Sequence, residues 1–483
     1  MKIRFKKFVG LLFLSTLSIS SCKLRSELPT IVAEEITLPI LEPSTIQIPV
    51  EINVLPIINY ANSKTDKVIR NPEYPNFSTF EGVEGPRANY DVLIGKLTGA
   101  MQGNIFSVGT TAAYGIAGDY CSELVWGKCI HPRISFSCGT NNETKRKVKI
   151  TFSSRVDITS DYRLKTQTVV SEVTPIDPCK MTFLKIDMTN KVMDAMRPSL
   201  NDCAKLIDEQ AKTTSFKSIA IDAWKELWTP LAIEGYGFLY INPNEISVSQ
   251  LSGTGQTLNF NIGLKANPKF TITKDSSQKI PALPALKTNA KNNSEFVFNL
   301  PIISNYSELT TTLSNNLKEK TFQSDDGKQT ILIHQITLSG KGNSTILLEL
   351  NCDLKIGIKK FKNATLYFTM KPVYDSKTQT LDLKNVKLAS DKKHILLQAG
   401  TELFQKTLAQ KIQEFGKTDF KPILESNKKS ISNQLHKQLA NNAQLSGQVT
   451  QLKILGIYPT ENNLIIHTQA IGNLSLKMRE YSF

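Results

Sequence analysis

The clearest pattern in this sequence lies at residues 346–359. Leu348, Leu350, Cys352, Leu354, Ile356 and Ile358 alternate there with Leu347, Glu349, Asn351, Asp353, Lys355, Gly357 and Lys359. One face is apolar and the other almost wholly polar, the period-2 signature of a sheet solvated on one side. Ala364, Leu366, Phe368 and Met370 repeat the pattern, and residues 372–377 turn the chain into a strand at 380–388. Val148, Ile150 and Phe152 alternate likewise, with a further strand at 163–173. Helical spacing takes over at Ile395, Ala399, Leu403, Leu408, Ile412 and Phe415, then at Ile423, Ile431, Leu435 and Leu439. Residues 200–212 and 219–227 read as helices too, with Trp224 and Trp228 four apart on one face.

These elements recur in one order, so the chain reads as two similar halves. An extended segment at 45–53 leads to Leu55-Pro56-Ile57-Ile58, and another at 294–299 leads to Leu300-Pro301-Ile302-Ile303. In each, the proline is expected to stop the strand and start a helix, which in the second copy runs from 308 to 320. Both halves close with strands, at 237–250 and 257–266 and then at 449–457 and 463–477. The expected fold class is α+β, with a first half at 45–272, a Pro-, Lys- and Ser-rich linker at 273–293, and a second half at 294–483.

The first residues describe export. Lys2, Arg4, Lys6 and Lys7 precede an apolar run of 12 residues, 8–19, too short to span a bilayer. Ile19-Ser20-Ser21-Cys22 follows and resembles the bacterial lipobox. Residues 1–21 are therefore expected to be a signal peptide, Cys22 the lipidated residue, and 22–44 a flexible tether. Two or more acyl chains give stable anchoring. Lys23 stands where an aspartate would favour retention in the inner membrane. By resemblance to the usual sorting rule, the expected location is the outer membrane, facing the periplasm.

The chain is 483 residues long, 40% hydrophobic and 21% charged, a globular composition with material for more than one domain. Its formal charge of +15 falls to +11 without the four basic signal residues, which suits contact with anionic headgroups. Nucleic acid is a poor partner, because the compartment is wrong and no recognition motif is present. Besides Cys22 there are Cys121, Cys129, Cys138, Cys179, Cys203 and Cys352. Cys352 on an apolar strand face reads as a buried free thiol, leaving at most two disulfides among the other five. Spacings of eight and nine residues with no CxxC make zinc at Cys121, Cys129 and Cys138 a poor reading.

Several stretches resemble one family. Residues 235–248, Gly-Tyr-Gly-Phe-Leu-Tyr-Ile-Asn-Pro-Asn-Glu-Ile-Ser-Val, look like a hallmark of bacterial lipoproteins grouped as domain of unknown function 4403. Residues 364–375 and 378–383 look like a second hallmark, and 46–52 fits as well. Met370-Lys371-Pro372 departs from the glycine the family usually carries before that proline. The repeated plan is also similar to the tubular lipid-binding superfamily, which includes the bactericidal permeability-increasing protein. That resemblance implies a curved antiparallel sheet wrapped around long helices in each half, with an apolar groove for acyl chains.

On that basis Leu348, Leu350, Leu354, Ile356, Leu366, Phe368 and Met370 are the candidate ligand-contacting residues. Taken singly, each reads better as plain core than as a ligand contact, since burial stabilises by about 1.5–3 kcal/mol per side chain with or without a ligand. No GxSxG, HExxH or P-loop is present, so neither catalysis nor a metal or other cofactor is expected. Ser276 and Lys279 match SxxK by chance, and His131, His334, His394, His436 and His467 stand singly. Gly253-Thr254-Gly255 reads as a hairpin turn, and Trp224 and Trp228 as core. The expected function is a non-catalytic envelope lipoprotein that binds lipid or another hydrophobic ligand. The alternative is an interaction or scaffold lipoprotein docking to envelope glycan or an outer-membrane complex.

Overall fold

The computed structural model describes residues 37–478 apart from 80–86, 122, 127, 141, 181–185, 234–236, 272, 325–326, 390–400 and 439–442. The signal peptide, Cys22, His394, Ile395, Ala399 and Leu439 lie outside the described residues, as do the side chains of Leu403 and Phe415.

Strand accounts for 53% and helix for 21% of the structure, which overturns the α+β expectation of halves wrapped around long helices. The protein is mostly β, built on large antiparallel sheets. Its strands reach 17 residues, as in Lys359–Asp375, so alternating positions carry most of the burial. The helices among the described residues are α1 (Leu55–Lys64), α2 (Thr189–Thr213), α3 (Lys217–Trp228), α4 (Tyr306–Leu317), α5 (Thr401–Gly416) and α6 (Lys421–Gln434). Even the longest, α2, buries only Thr189, Val192, Met193 and Ala204. These helices cover patches of sheet and do not form an axis for the sheet to wrap.

Chain contacts define two compact units. The smaller gathers Ile303–Phe420 and Gly456–Ile466; the larger gathers Ile40–Ile302, Lys421–Leu455 and the chain from His467 on. The strands Glu295–Asn305, Ala443–Pro459 and Asn463–Met478 each have residues in both units.

The smaller unit is a six-stranded antiparallel sheet whose strands neighbour one another in chain order, Thr321–Gln323, Gln329–Gly340, Ile346–Ile356, Lys359–Asp375, Thr380–Leu388 and Thr418–Asp419. Leu350 lies opposite Ile336 on one side and Leu366 on the other, so the predicted apolar positions share a face. The strand expected to reach Lys359 stops at Ile356, because Gly357 takes a φ of +57° and turns the chain. Ile358 sits on that turn, 98% exposed. The Glu295–Asn305 strand also runs through Pro301, and α4 starts only at Tyr306. Asn305 sets that start: its Oδ1 accepts the Glu308 N–H at 2.9 Å, so a side-chain cap and not the proline begins the helix.

In the larger unit, Ser44–Asn53 pairs antiparallel along its whole length with Thr257–Ala266. Arg146–Ile158 lies between Ile105–Tyr120 and Leu164–Pro175. Val148 and Ile150 project into a core shared with Tyr114, Met188 and Val192. The disulfides are Cys121–Cys129 and Cys138–Cys179, the second inside that core. Cys203 is free and exposed on α2, and Cys352 is free and buried. The expected linker packs as a strap. Pro281 O accepts from Trp224 Nε1 at 3.0 Å, Pro284 O from the Tyr162 hydroxyl at 2.8 Å, and Leu286 N–H donates to Ser160 O at 2.9 Å.

Candidate functional site

Two helices lie over the apolar face of the six-stranded sheet. α4 packs on Gln329–Gly340 and α5 on Thr380–Leu388, three strand spacings apart. At about 4.8 Å per spacing that is roughly 14 Å, whereas touching helices sit about 8–10 Å apart. That spacing leaves room between the two helices over the strands that separate them. A cavity of about 230 Å³ occupies the gap. Ile331, Ile333, Ile336, Leu348, Leu350 and Met370 form its floor. Leu313 and Leu317 come down from α4, Leu408 and Ile412 from α5. Gly416, where a Cβ would run into Leu383, lets the end of α5 approach the sheet. Polar side chains gather at the rim, among them Gln323, Thr407 and Lys411, whose Nζ pairs with Glu414 at 3.1 Å.

Three of the predicted ligand contacts, Leu348, Leu350 and Met370, line this cavity. Leu354, Leu366 and Phe368 are sealed in the same core away from it, Phe368 at 0% exposure, and Ile356 packs against the core from its edge. The α4 and α5 residues and Ile331, Ile333 and Ile336 were not foreseen. Their signal was present: Leu309, Leu313 and Leu317 recur every fourth residue, and Ile331 and Ile333 alternate.

Two titratable groups buried in the core that includes the floor are held neutral. Burial pushes the Cys352 thiol up to about 12, with Asp353 adding to the effect, so it stays protonated. Burial likewise raises Tyr306 to about 12, and its hydroxyl donates to Thr460 O at 2.9 Å. Asp353 alternates with Cys352 along its strand. The Asn363 N–H, working against burial, holds its carboxyl below the usual range, helped by His334 at 3.3 Å. What the floor and walls of this cavity offer is apolar burial.

Elsewhere, His131 meets Glu123 at 3.1 Å, and His467 is buried, its pKa lowered by desolvation. Among the described residues no cluster of His, Cys, Asp or Glu could hold a metal ion, and no helix is long and apolar enough to cross a membrane. Gly255 takes a φ of +61° at the turn that pairs Thr254 with Thr257, the hairpin expected there.

A β-rich protein with an apolar cavity between two helices and a sheet is the class these features define. The model of the family named Domain of unknown function (DUF4403) matches residues 42–478, and the chain belongs to that family. A search of curated proteins gives no match. Among solved structures, the chain is similar to a lipopolysaccharide binding protein at 9% identity and a TM-score of 0.24, over 91% of this chain and 100% of that one. It is also similar to P47 of Clostridium botulinum E1, at 8% identity and 0.19 over 88% and 98% of the chains. P47 from Clostridium botulinum A2 matches at 9% and 0.20 over 88% and 96%. Likenesses this faint carry no argument about fold or activity.

Proposed function

We propose that this chain is a lipid-anchored protein of the cell envelope that holds an acyl chain or another hydrophobic ligand, without catalysis, in the cavity beneath α4 and α5. The observation that carries the reading is the cavity itself, about 230 Å³ with apolar side chains on floor and walls. An apolar cavity of about 150 Å³ is enough to stay dry and bind benzene. At about 30 Å³ per water-sized unit, this one accommodates roughly eight methylenes. At about 0.8 kcal/mol each they contribute about 6 kcal/mol, the tens-of-micromolar range before ordering costs. The lipobox-like stretch ending at Cys22 supports anchoring, and Lys23 supports the outer membrane facing the periplasm.

Native mass spectrometry with lipid extraction tests the reading, comparing the wild type with Leu408→Trp. That change fills the cavity from a half-buried position and buries no charge. The wild type is expected to carry a hydrophobic ligand in fixed stoichiometry, and the variant to lose it while melting at a similar temperature. A ligand-free wild type after challenge with envelope lipids would refute carriage. The scaffold reading, docking to envelope glycan or an outer-membrane complex, would then take its place.

A further inference from the structure

The larger unit contains a second cavity, about 330 Å³, with the opposite chemistry. Its wall begins at Trp228, the last residue of α3. One turn earlier, Trp224 has its Nε1 bonded to Pro281 O, and the two indole rings stand 6.4 Å apart. Trp228 Nε1 is shielded from solvent and has no hydrogen-bond partner among the described residues. Gln278 lines the same cavity: its Nε2 donates to Asn242 Oδ1 at 2.7 Å, while its Oε1 is buried and likewise without a partner. One site thus holds one unmet donor and one unmet acceptor, each costly to leave buried unless a ligand or water meets it.

The charges in the site cancel. Lys269 Nζ donates to Asp275 Oδ2 at 2.8 Å and stands 5.1 Å from the centre of the Tyr240 ring. The Asp275 N–H donates to the Tyr240 hydroxyl at 2.7 Å. Asn242 has a φ of +49°, in the left-handed region, and its carbonyl accepts the Asn267 N–H at 3.1 Å, fixing the turn before buried Pro243. A neutral, held site suits a neutral ligand. A hydroxyl is the group that both donates and accepts, so a ring bearing several of them carries the partners for an unmet acceptor and an unmet donor alike. An indole adds apolar surface for a C–H face, and Asn244 and Asn267 add amides at the edge. The volume is roughly eleven water-sized units at about 30 Å³ each, the size of a single sugar ring.

We infer that this cleft binds a neutral sugar ring, either free or as a residue of a glycan. The inference is independent of the apolar cavity. The test is ligand-observed NMR on the whole protein with glucose, galactose, mannose and N-acetylglucosamine, each beside its methyl glycoside. Saturable binding of at least one is expected, weakened about tenfold by Trp228→Phe, which removes the indole N–H, and similarly by Gln278→Leu. Asn244→Ala alters an exposed rim residue, so it is expected to weaken binding while leaving the fold and melting temperature unchanged. Glycosides that bind as well as the free sugars identify a residue within a chain as the target; glycosides that fail identify the free sugar. Absence of saturable binding by any of these probes, or binding unaltered in all three variants, would overturn the inference and leave the unmet groups to water.

Discussion

Helix α2 and the pair α4 and α5 each cover an apolar sheet face, but they are fastened differently. α2 buries Val192 and Met193 beside Val148 and Ile150, then bonds to the Leu164–Pro175 strand through one carboxylate. Asp208 accepts from Thr166 Oγ1 at 2.7 Å, Thr168 Oγ1 at 2.6 Å and the Thr168 N–H at 3.0 Å. Burial works against that charge, yet the threonine hydroxyls and the amide hold its carboxyl below the usual range. α4 and α5 face their sheet mainly with Leu309, Leu313, Leu408 and Ile412, with the Leu338 N–H donating to Thr310 Oγ1 at 2.9 Å. Directional bonds fix a helix at one height and register. Apolar side chains set a looser distance, so an interface made mostly of them can admit a guest.

Within the smaller unit, the largest effect is expected where packing is complete. Phe368→Ala removes a side chain with no exposure and leaves a hole the sheet cannot collapse, costing about 3–5 kcal/mol. Chemical denaturation with hydrogen exchange on the six-stranded sheet measures it. A cost below that of a half-buried residue would mean the sheet is not closed at Phe368. Next comes Asp208→Asn, expected to cost about 1.5–3 kcal/mol at neutral pH, the range for hydrogen bonds to a charged group. Because the folded carboxyl titrates lower than the unfolded one, its contribution is present above an unfolded pKa of about 3.9 and is lost as pH falls through the folded value. The gap between wild type and variant should therefore narrow on acidification below about pH 4. A gap that persists unchanged with pH would show that the charge on Asp208 contributes nothing, and no gap at all would show that α2 is held by packing alone.

The sequence carried some of this well. Alternation at Leu348, Leu350, Cys352 and Leu354 marked both the strand and its buried face, because period 2 assigns each side chain a side. Cys352 was legible as a buried free thiol for the same reason. The fold class was not, because helical periodicity reports a local stripe and says nothing of how much sheet that stripe must cover. Pro301 misled for a related reason: a proline is compatible with a helix start, but the capping Asn305 four residues on decided where the helix began. The site was half legible. Which apolar residues share a face follows from the strand pattern; which of them border a gap depends on where α4 and α5 land. Trp228 and Gln278 come to line one cleft through the tertiary path of the Pro-rich segment, which composition marks as a linker.

The smallest effect sharpens the contrast most. Ile412 is half-buried on α5 and already borders the cavity, so Ile412→Ala enlarges an existing space and creates no new one. The cavity penalty that dominates Phe368→Ala is then largely absent, leaving only the transfer of a few partly exposed methyl and methylene groups. At about 0.8 kcal/mol per fully buried CH₂, a cost near 1 kcal/mol is expected, readable as a small fall in denaturation midpoint. The same change should admit a longer chain, shifting the length of extracted or added fatty acid that binds best by one or two carbons. A loss as large as that of Phe368→Ala would mean α5 closes on the sheet in solution, which would remove the space on which ligand carriage depends.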